Sequence, residues 1–282
     1  MNIQWYPGHM TKAKRAMKED IKLIDLVIEL VDARVPLSSR NPDIDDLARG
    51  KARMVLLNKS DLADERVNAQ WAAWFEAKNI HAVKVDSRNK GTLKQVQSVV
   101  QEACKEKIER DRKRGIMNRP IRTMVVGIPN VGKSTFINSF AGKACAKTGN
   151  KPGVTKGNQW IRLNKSLELL DTPGILWPKF EDQVVGIRLA LIGSINDEIL
   201  NKDELALELI RFLQKKYPNV LEDKYQTDAS DAVGILNQIA KARACLSKGG
   251  ELDLAKASRL LIDDFRNGKL GKITLELPPE LP

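Results

Sequence analysis

The chain has 282 residues, 42% of them hydrophobic, and a formal charge of +11. That length allows one large domain and a smaller one, each with a core of its own, and no run approaches the ~20 apolar residues that a membrane helix needs. The opening MNIQWYPGHMTKAKR has no apolar stretch after its charges, so it is not read as a signal peptide, and the three scattered cysteines (Cys104, Cys145, Cys245) predict reduced thiols in a cytoplasmic, membrane-free protein.

The charge is uneven. Residues 1–179 hold 33 basic against 19 acidic side chains, a net +14, whereas 180–282 hold 14 against 17. A basic first part suits a polyanionic partner such as nucleic acid; an ordinary solvated basic surface accounts for it equally well.

In chain order, 9–24 reads as a short basic helix. LVIELVDAR, ARMVLLNKSDL and IHAVKVDSR then each place an apolar run before a polar loop, with helical stretches at 64–79 and 92–115 between or after them. Asn58-Lys59-Ser60-Asp61 ends the second run. Alone it is an Asn/Asp-rich turn, but its chemistry fits guanine. The Asp61 carboxylate can accept from guanine N1–H and the N2 amino group together, a donor pair adenine lacks on that edge. The Lys59 stem can lie along the base, and Asn58 can tie the loop to the phosphate loop. Ser87 and Arg88, ending the next strand, would add a backbone N–H for guanine O6.

The mixed-charge stretch 102–122 reads as a solvent-facing connector, and the strand 123–127 leads into Gly127-Ile128-Pro129-Asn130-Val131-Gly132-Lys133-Ser134. This is G-x-x-x-x-G-K-[ST] between a strand and a helix, the context in which the pattern binds phosphate. Backbone N–H groups from Asn130 to Thr135, among them those of Val131 and Gly132, would turn inward around phosphate oxygens. Lys133 would carry charge to the β- and γ-phosphates, and Ser134 would hold Mg²⁺. Residues 141–160 contain four lysines and no acid, which suits a mobile loop beside phosphates or RNA and equally a solvated loop. Within it Thr155 would reach Mg²⁺ and the γ-phosphate only in the triphosphate state. A further strand ends in Asp171-Thr172-Pro173-Gly174; Asp171 would hold Mg²⁺ through water and the Gly174 N–H would contact the γ-phosphate.

Apolar strands alternating with helices predict an α/β domain with a mostly parallel sheet covered on both faces. Past Trp177-Pro178 the pattern becomes helical, at 203–217, 230–249 and 253–268, so residues 1–178 are expected to form the nucleotide-binding domain and 179–282 a small all-helical one. The base reader precedes the phosphate loop, the reverse of the ordinary guanine-nucleotide switch. Joining the old chain ends and opening new ones between the DTPG and NKSD segments preserves such a sheet. It also runs the segment after DTPG directly into the helical domain.

The chain resembles the circularly permuted GTPases, and among them the bacterial ribosome-biogenesis GTPase A (YlqF-like) group. The matching residues are WYPGHMTKAKR, DAR, NKSD, GIPNVGKST, PGVT, DTPGILWPK and DFRNGKLG, spread over nearly the whole sequence. The resemblance implies a permuted P-loop GTPase domain, GTP/GDP binding, and hydrolysis coupled to late assembly of the large ribosomal subunit. It also implies a C-terminal helical domain contacting ribosomal RNA, although that domain is not basic here. A monomer is expected. Ile175 follows the D-x-x-G turn, where many switch GTPases carry a water-orienting glutamine, so another group must do that work. Of the two histidines, His81 opens a strand and His9 is the candidate. Asn130 is similar to the asparagine by which related GTPases hold K⁺. Two other readings remain: a signalling or transport switch acting on a protein through the helical domain, and a nucleotide-binding scaffold that hardly hydrolyses.

Overall fold

The computed structural model describes Ile3 and residues 8–117, 119–146 and 158–280. Thr155 and the His9 side chain lie outside the described residues. Two compact units are present. One comprises 180–275 with Ile3; the other runs up to residue 179 and takes the chain back at Glu276.

The second of these units opens with α1 (Gly8–Asp20), followed by β1 (Leu26–Asp32), α2 (Asp43–Leu47), β2 (Ala52–Asn58), α3 (Glu65–Glu76) and β3 (His81–Val85). Then come α4 (Lys90–Ala103), α5 (Lys105–Lys113), β4 (Ile121–Gly127), α6 (Lys133–Ala141), β5 (Gln159–Arg162) and β6 (Leu167–Asp171). The six strands form one sheet in the order β3-β2-β1-β4-β6-β5, parallel throughout except for β5, which runs antiparallel to β6. The expected mostly parallel α/β sheet is therefore present, and the permuted chain order places the phosphate-loop strand β4 beside β1.

All seven residues of β1 are buried, as a central parallel strand requires. Glu29 in its middle is tolerated because Arg40 Nε lies 3.0 Å from its carboxylate and Arg53 3.6 Å. Burial still pushes that carboxyl up against the pull of the two arginines. On one face, Trp71, Trp74 and Phe75 of α3 cover Val31, Val55 and Leu57, with Trp71 and Trp74 in an edge-to-face pair at 5.4 Å. Asp64 starts α3 by accepting from the Arg66 N–H.

Three elements differ from the pattern read in the sequence. The single helix expected over 92–115 is two, broken at Cys104: α4 buries Leu93, Val96 and Val100, while α5 buries nothing, so no apolar stripe carries one straight axis through. Strand β5 carries no sequence signal, because Gln159, Trp160 and Arg162 are exposed on an edge and give no alternation. The tail returns to this unit, where Glu276 accepts from the Leu37 N–H (2.7 Å), the Ser38 N–H (3.0 Å) and the Ser38 hydroxyl (2.6 Å).

The other unit holds α7 (Gln183–Leu191), α8 (Lys202–Lys216), α9 (Asn219–Tyr225), α10 (Ala232–Ala242) and α11 (Leu254–Arg266). Asn201, Asp231 and Asp253 cap α8, α10 and α11, each accepting from a first-turn N–H. Leu205, Leu209, Leu213, Ile235, Ile239, Leu261, Ile262 and Phe265 make its apolar interior. Among the described residues no helix is long and apolar enough to cross a membrane.

Candidate nucleotide site

Parallel sheets gather their loops at the carboxyl ends of the strands, and register does the rest. Asp32 pairs with Asn58, and Asn58 with Val85, so three polar loops leave the sheet at one level; Gly127 stands across from Leu30.

Asn58 is 1% exposed and ties three loops. Its Nδ2 donates to the Val131 carbonyl at 2.7 Å, across 73 residues of chain. Its Oδ1 accepts from the Ser87 amide (3.2 Å) and hydroxyl (2.7 Å). Ser87, expected to present its N–H to a base, braces Asn58 in this arrangement. Lys59 Nζ donates to the Asn130 carbonyl at 2.9 Å. Both residues have left-handed backbones, with φ of +56° and +60°. Such conformations in side chains other than glycine cost roughly 1–2 kcal/mol and gather at functional sites. Asp61 receives Arg88 Nη2 at 2.7 Å on one oxygen, while its other oxygen, Oδ1, is buried without a hydrogen-bond partner among the described residues. A purine edge bearing two adjacent N–H donors satisfies an acceptor left in that condition.

The phosphate loop needs its glycines for close approach. At Gly132 (φ +95°) a Cβ would stand 2.4 Å from Asn58 Nδ2, and at Gly174 one would stand 2.9 Å from the Pro129 nitrogen. The DTPG turn therefore lies directly on the phosphate loop. The Ile175 N–H donates to the Gly127 carbonyl at 3.3 Å and the Thr172 hydroxyl to the Val125 carbonyl at 2.8 Å. Ile175 itself is 3% exposed. Helix α6 begins at Lys133, with Ser134 and Thr135 half-buried in its first turn, where N–H groups lack intrahelical partners and favour an anion. Lys133 Nζ lies 2.7 Å from Asp171 Oδ1, both buried. Burial pulls the Lys133 ammonium pKa down, and the Asp171 carboxylate opposes that shift. The structure thus brings Asn58, Lys59, Asn130, Val131, Gly132 and Ser87 together at one end of the sheet, with Lys133, Asp171 and Gly174 along the same edge.

A family model described as 50S ribosome-binding GTPase matches residues 122–223, which include the phosphate loop and DTPG but not NKSD, as a permuted order demands. A Bacillus cereus protein named ribosome biogenesis GTPase A is 50% identical over 282 residues, covering 99% of this chain and 95% of that relative. The chain belongs to the ribosome biogenesis GTPase A family. The Thermotoga maritima member is 31% identical, over 99% of this chain and 96% of its own. Among solved structures, the GDP-bound TM YlqF superposes with a TM-score of 0.67 at 25% identity, covering 93% of this chain and 98% of that one. GNP-bound YlqF from T. maritima gives 0.63 at 26% identity, over 96% and 100%. Like its family the chain is a GTPase and binds guanine nucleotides.

Two side chains in this region stand out in the sequence only through the family likeness. Asp32 and Arg34, in the DAR segment, are fully buried beside Lys59. Their signal was an acid closing a buried strand directly across from Asn58.

Proposed function

We propose that the chain is a GTP-hydrolysing factor for late assembly of the large (50S) ribosomal subunit, binding ribosomal RNA and released on hydrolysis. The observation that carries the nucleotide part is the pair of ties from Asn58 to Val131 and from Lys59 to Asn130, which makes base reader and phosphate loop a single wall. The names borne by its relatives support the ribosomal part, and the net +14 of residues 1–179 suits a polyanionic partner.

In this reading 1–178 is the GTPase domain and 179–282 the helical one, except that the tail from Glu276 rejoins the sheet-bearing unit, and the protein acts as a monomer. Asp61 reads guanine through the oxygen that lacks a partner, Lys59 lies along the base, and Asn58, Ser87 and Arg88 hold the loops around it. The N–H groups of Asn130 to Thr135 line the phosphates, with that of Gly174 on the γ-phosphate. Ser134, Asp171 and Thr155 are hard oxygen donors of the kind Mg²⁺ takes, and the ion would supply positive charge to the phosphate oxygens. Asn130 would hold K⁺ in a similar office. Lys133 must then exchange Asp171 for phosphate. Because Ile175 is buried and apolar, His9 is the group proposed to place the attacking water.

The test is GTP turnover in K⁺ and in Na⁺, with and without large ribosomal subunits. Subunits are expected to raise turnover, and K⁺ to exceed Na⁺. Equal rates with and without subunits would remove the ribosomal reading, and equal rates in the two salts would remove Asn130 as a K⁺ ligand. Affinity for ribosomal RNA should fall steeply as salt rises, because binding releases counterions.

A further inference from the structure

Asp32 closes β1 with no solvent exposure and faces more positive charge than it can neutralise. Arg34 donates to it from three groups: the backbone N–H at 3.1 Å and Nε at 2.9 Å, both to Oδ1, and Nη2 to Oδ2 at 2.8 Å. Lys59 Nζ approaches the same Oδ2 at 3.1 Å. The Asp32 N–H in turn donates to the Ser39 hydroxyl at 2.9 Å, which fixes the strand end. Burial alone would raise the carboxyl pKa, yet the charges of Arg34 and Lys59 hold it well below the usual carboxylate range.

The Lys59 ammonium is therefore held from two sides, by the Asp32 carboxylate and the Asn130 carbonyl. A lysine stem has four rotatable bonds, and fixing it costs rotamer entropy. Its backbone, moreover, is in the left-handed region. A side chain meant to cover a base gains affinity when that cost is met before the ligand arrives. Arg34 has a second part to play. It is 1% exposed and sits on the carboxylate that holds Lys59. Without the Asp32 charge, the guanidinium and the ammonium would repel each other.

We propose that Asp32, oriented by Arg34, is a positioning residue for guanine-nucleotide binding: a buried socket that presets the Lys59 side chain along the base. The inference rests on the base-reading role given above to Lys59 and Asp61. Because the socket acts on the base and not on the phosphates, GDP and GTP lose affinity equally when it is removed.

A double-mutant cycle with labelled GDP and GTP tests this. Asp32→Asn keeps the shape and removes the charge, and is expected to weaken both nucleotides about tenfold. Lys59→Ala weakens them by a comparable factor. In the Lys59→Ala background Asp32→Asn should then cost less than about twofold in affinity, while still lowering the melting temperature, because interacting residues are not additive. A purely structural role would leave the two affinity losses multiplying in full, and that result overturns the proposal. So does an Asp32→Asn protein of unchanged affinity. Should Asp32→Asn fail to fold, Asp32→Glu runs the same cycle, moving the charge by one methylene, with an expected threefold loss that vanishes beside Lys59→Ala. If Lys59→Ala and Asp61→Ala both leave affinity intact, the base-reading site itself is wrong, an outcome distinct from the failure of the socket alone.

Discussion

Two buried ion clusters stand at the carboxyl edge of one sheet, one where β1 and β2 end and one between α6 and β6. In the first, a single carboxylate, Asp32, meets a guanidinium at 2.8 Å and an ammonium at 3.1 Å. In the second, one ammonium, Lys133, meets one carboxylate, Asp171, at 2.7 Å. The surplus of cation in the first lets either partner leave without stranding a bare buried carboxylate. Among the described residues the second has no such reserve. That contrast matches the roles proposed for them: a brace that stays closed through a nucleotide cycle, and a Lys133–Asp171 pair that parts when phosphate and metal arrive. Burial lowers the Lys133 pKa, and the single Asp171 carboxylate opposes that shift.

The largest effect is expected from breaking the one-to-one pair. Lys133→Ala removes the cation proposed for the phosphates and leaves Asp171 as a buried, unmatched anion. Turnover should fall by about 10³-fold, since a charged group poised at a phosphoryl centre contributes on that scale. The nucleotide-free protein should lose about 3 kcal/mol, the cost of stranding one member of a buried pair. Asp171→Asn in the same background should restore much of the stability and none of the turnover. Denaturant unfolding beside a phosphate-release assay separates the two; recovery of both together would mean that Lys133 acts only through Asp171.

How far the sequence discloses each cluster differs for the same physical reason. The phosphate loop and NKSD were legible because their chemistry demands fixed residue types at fixed spacing on one short segment. The LVIELVD run read as a buried strand despite Glu29, since its apolar residues outweigh one acid that Arg40 and Arg53 then neutralise. Contacts made across the fold leave no such trace. Nothing near Ser38 announces Glu276, 238 positions away, and nothing in DTPG announces that its aspartate lies against Lys133. Edge strand β5 was hidden by its own exposure, and the break at Cys104 by a helical pattern that runs on after the buried stripe has ended.

The tail contact gives a smaller prediction. The Glu276 carboxylate takes up the N–H groups of Leu37 and Ser38, and the Trp71 indole donates to the Glu276 carbonyl at 2.9 Å. Asn41, in the same loop, reaches the Ile175 carbonyl beyond DTPG at 3.4 Å. Glu276→Ala should cost about 2–3 kcal/mol, because it orphans donors in a mostly buried site. Glu276→Gln, which keeps the acceptor oxygen, should cost less. All five tryptophans lie before residue 180, so tryptophan fluorescence follows this unit and not the helical one. An Ala variant whose fluorescence transition does not move would show that the tail contributes nothing to holding the loop.

The smallest effect lies in the helical unit and is read by pH. Arg266, in the last turn of α11, donates to the Ala190 and Leu191 carbonyls at the end of α7 and grips Asp197 through two nitrogens at 2.8 and 3.0 Å. Lys202 adds a third donor at 2.9 Å. Hydrogen bonds from Arg266 and Lys202 hold the Asp197 carboxyl down at about 2. A folded pKa below the unfolded one means that this contribution is complete above about pH 4 and is lost as pH falls toward 2. The pair is partly exposed, so solvent screening keeps its worth to about 1 kcal/mol. Asp197→Asn should therefore lower stability near neutral pH by that small amount and, below pH 4, flatten the acid limb of the part of the circular-dichroism transition that tryptophan fluorescence does not follow. The tryptophan fluorescence transition, which reports on the sheet-bearing unit with its own depressed carboxylate at Asp32, should keep its midpoint. If both transitions shift together, the two units do not unfold separately, and the acid sensitivity assigned to Asp197 belongs to the whole molecule.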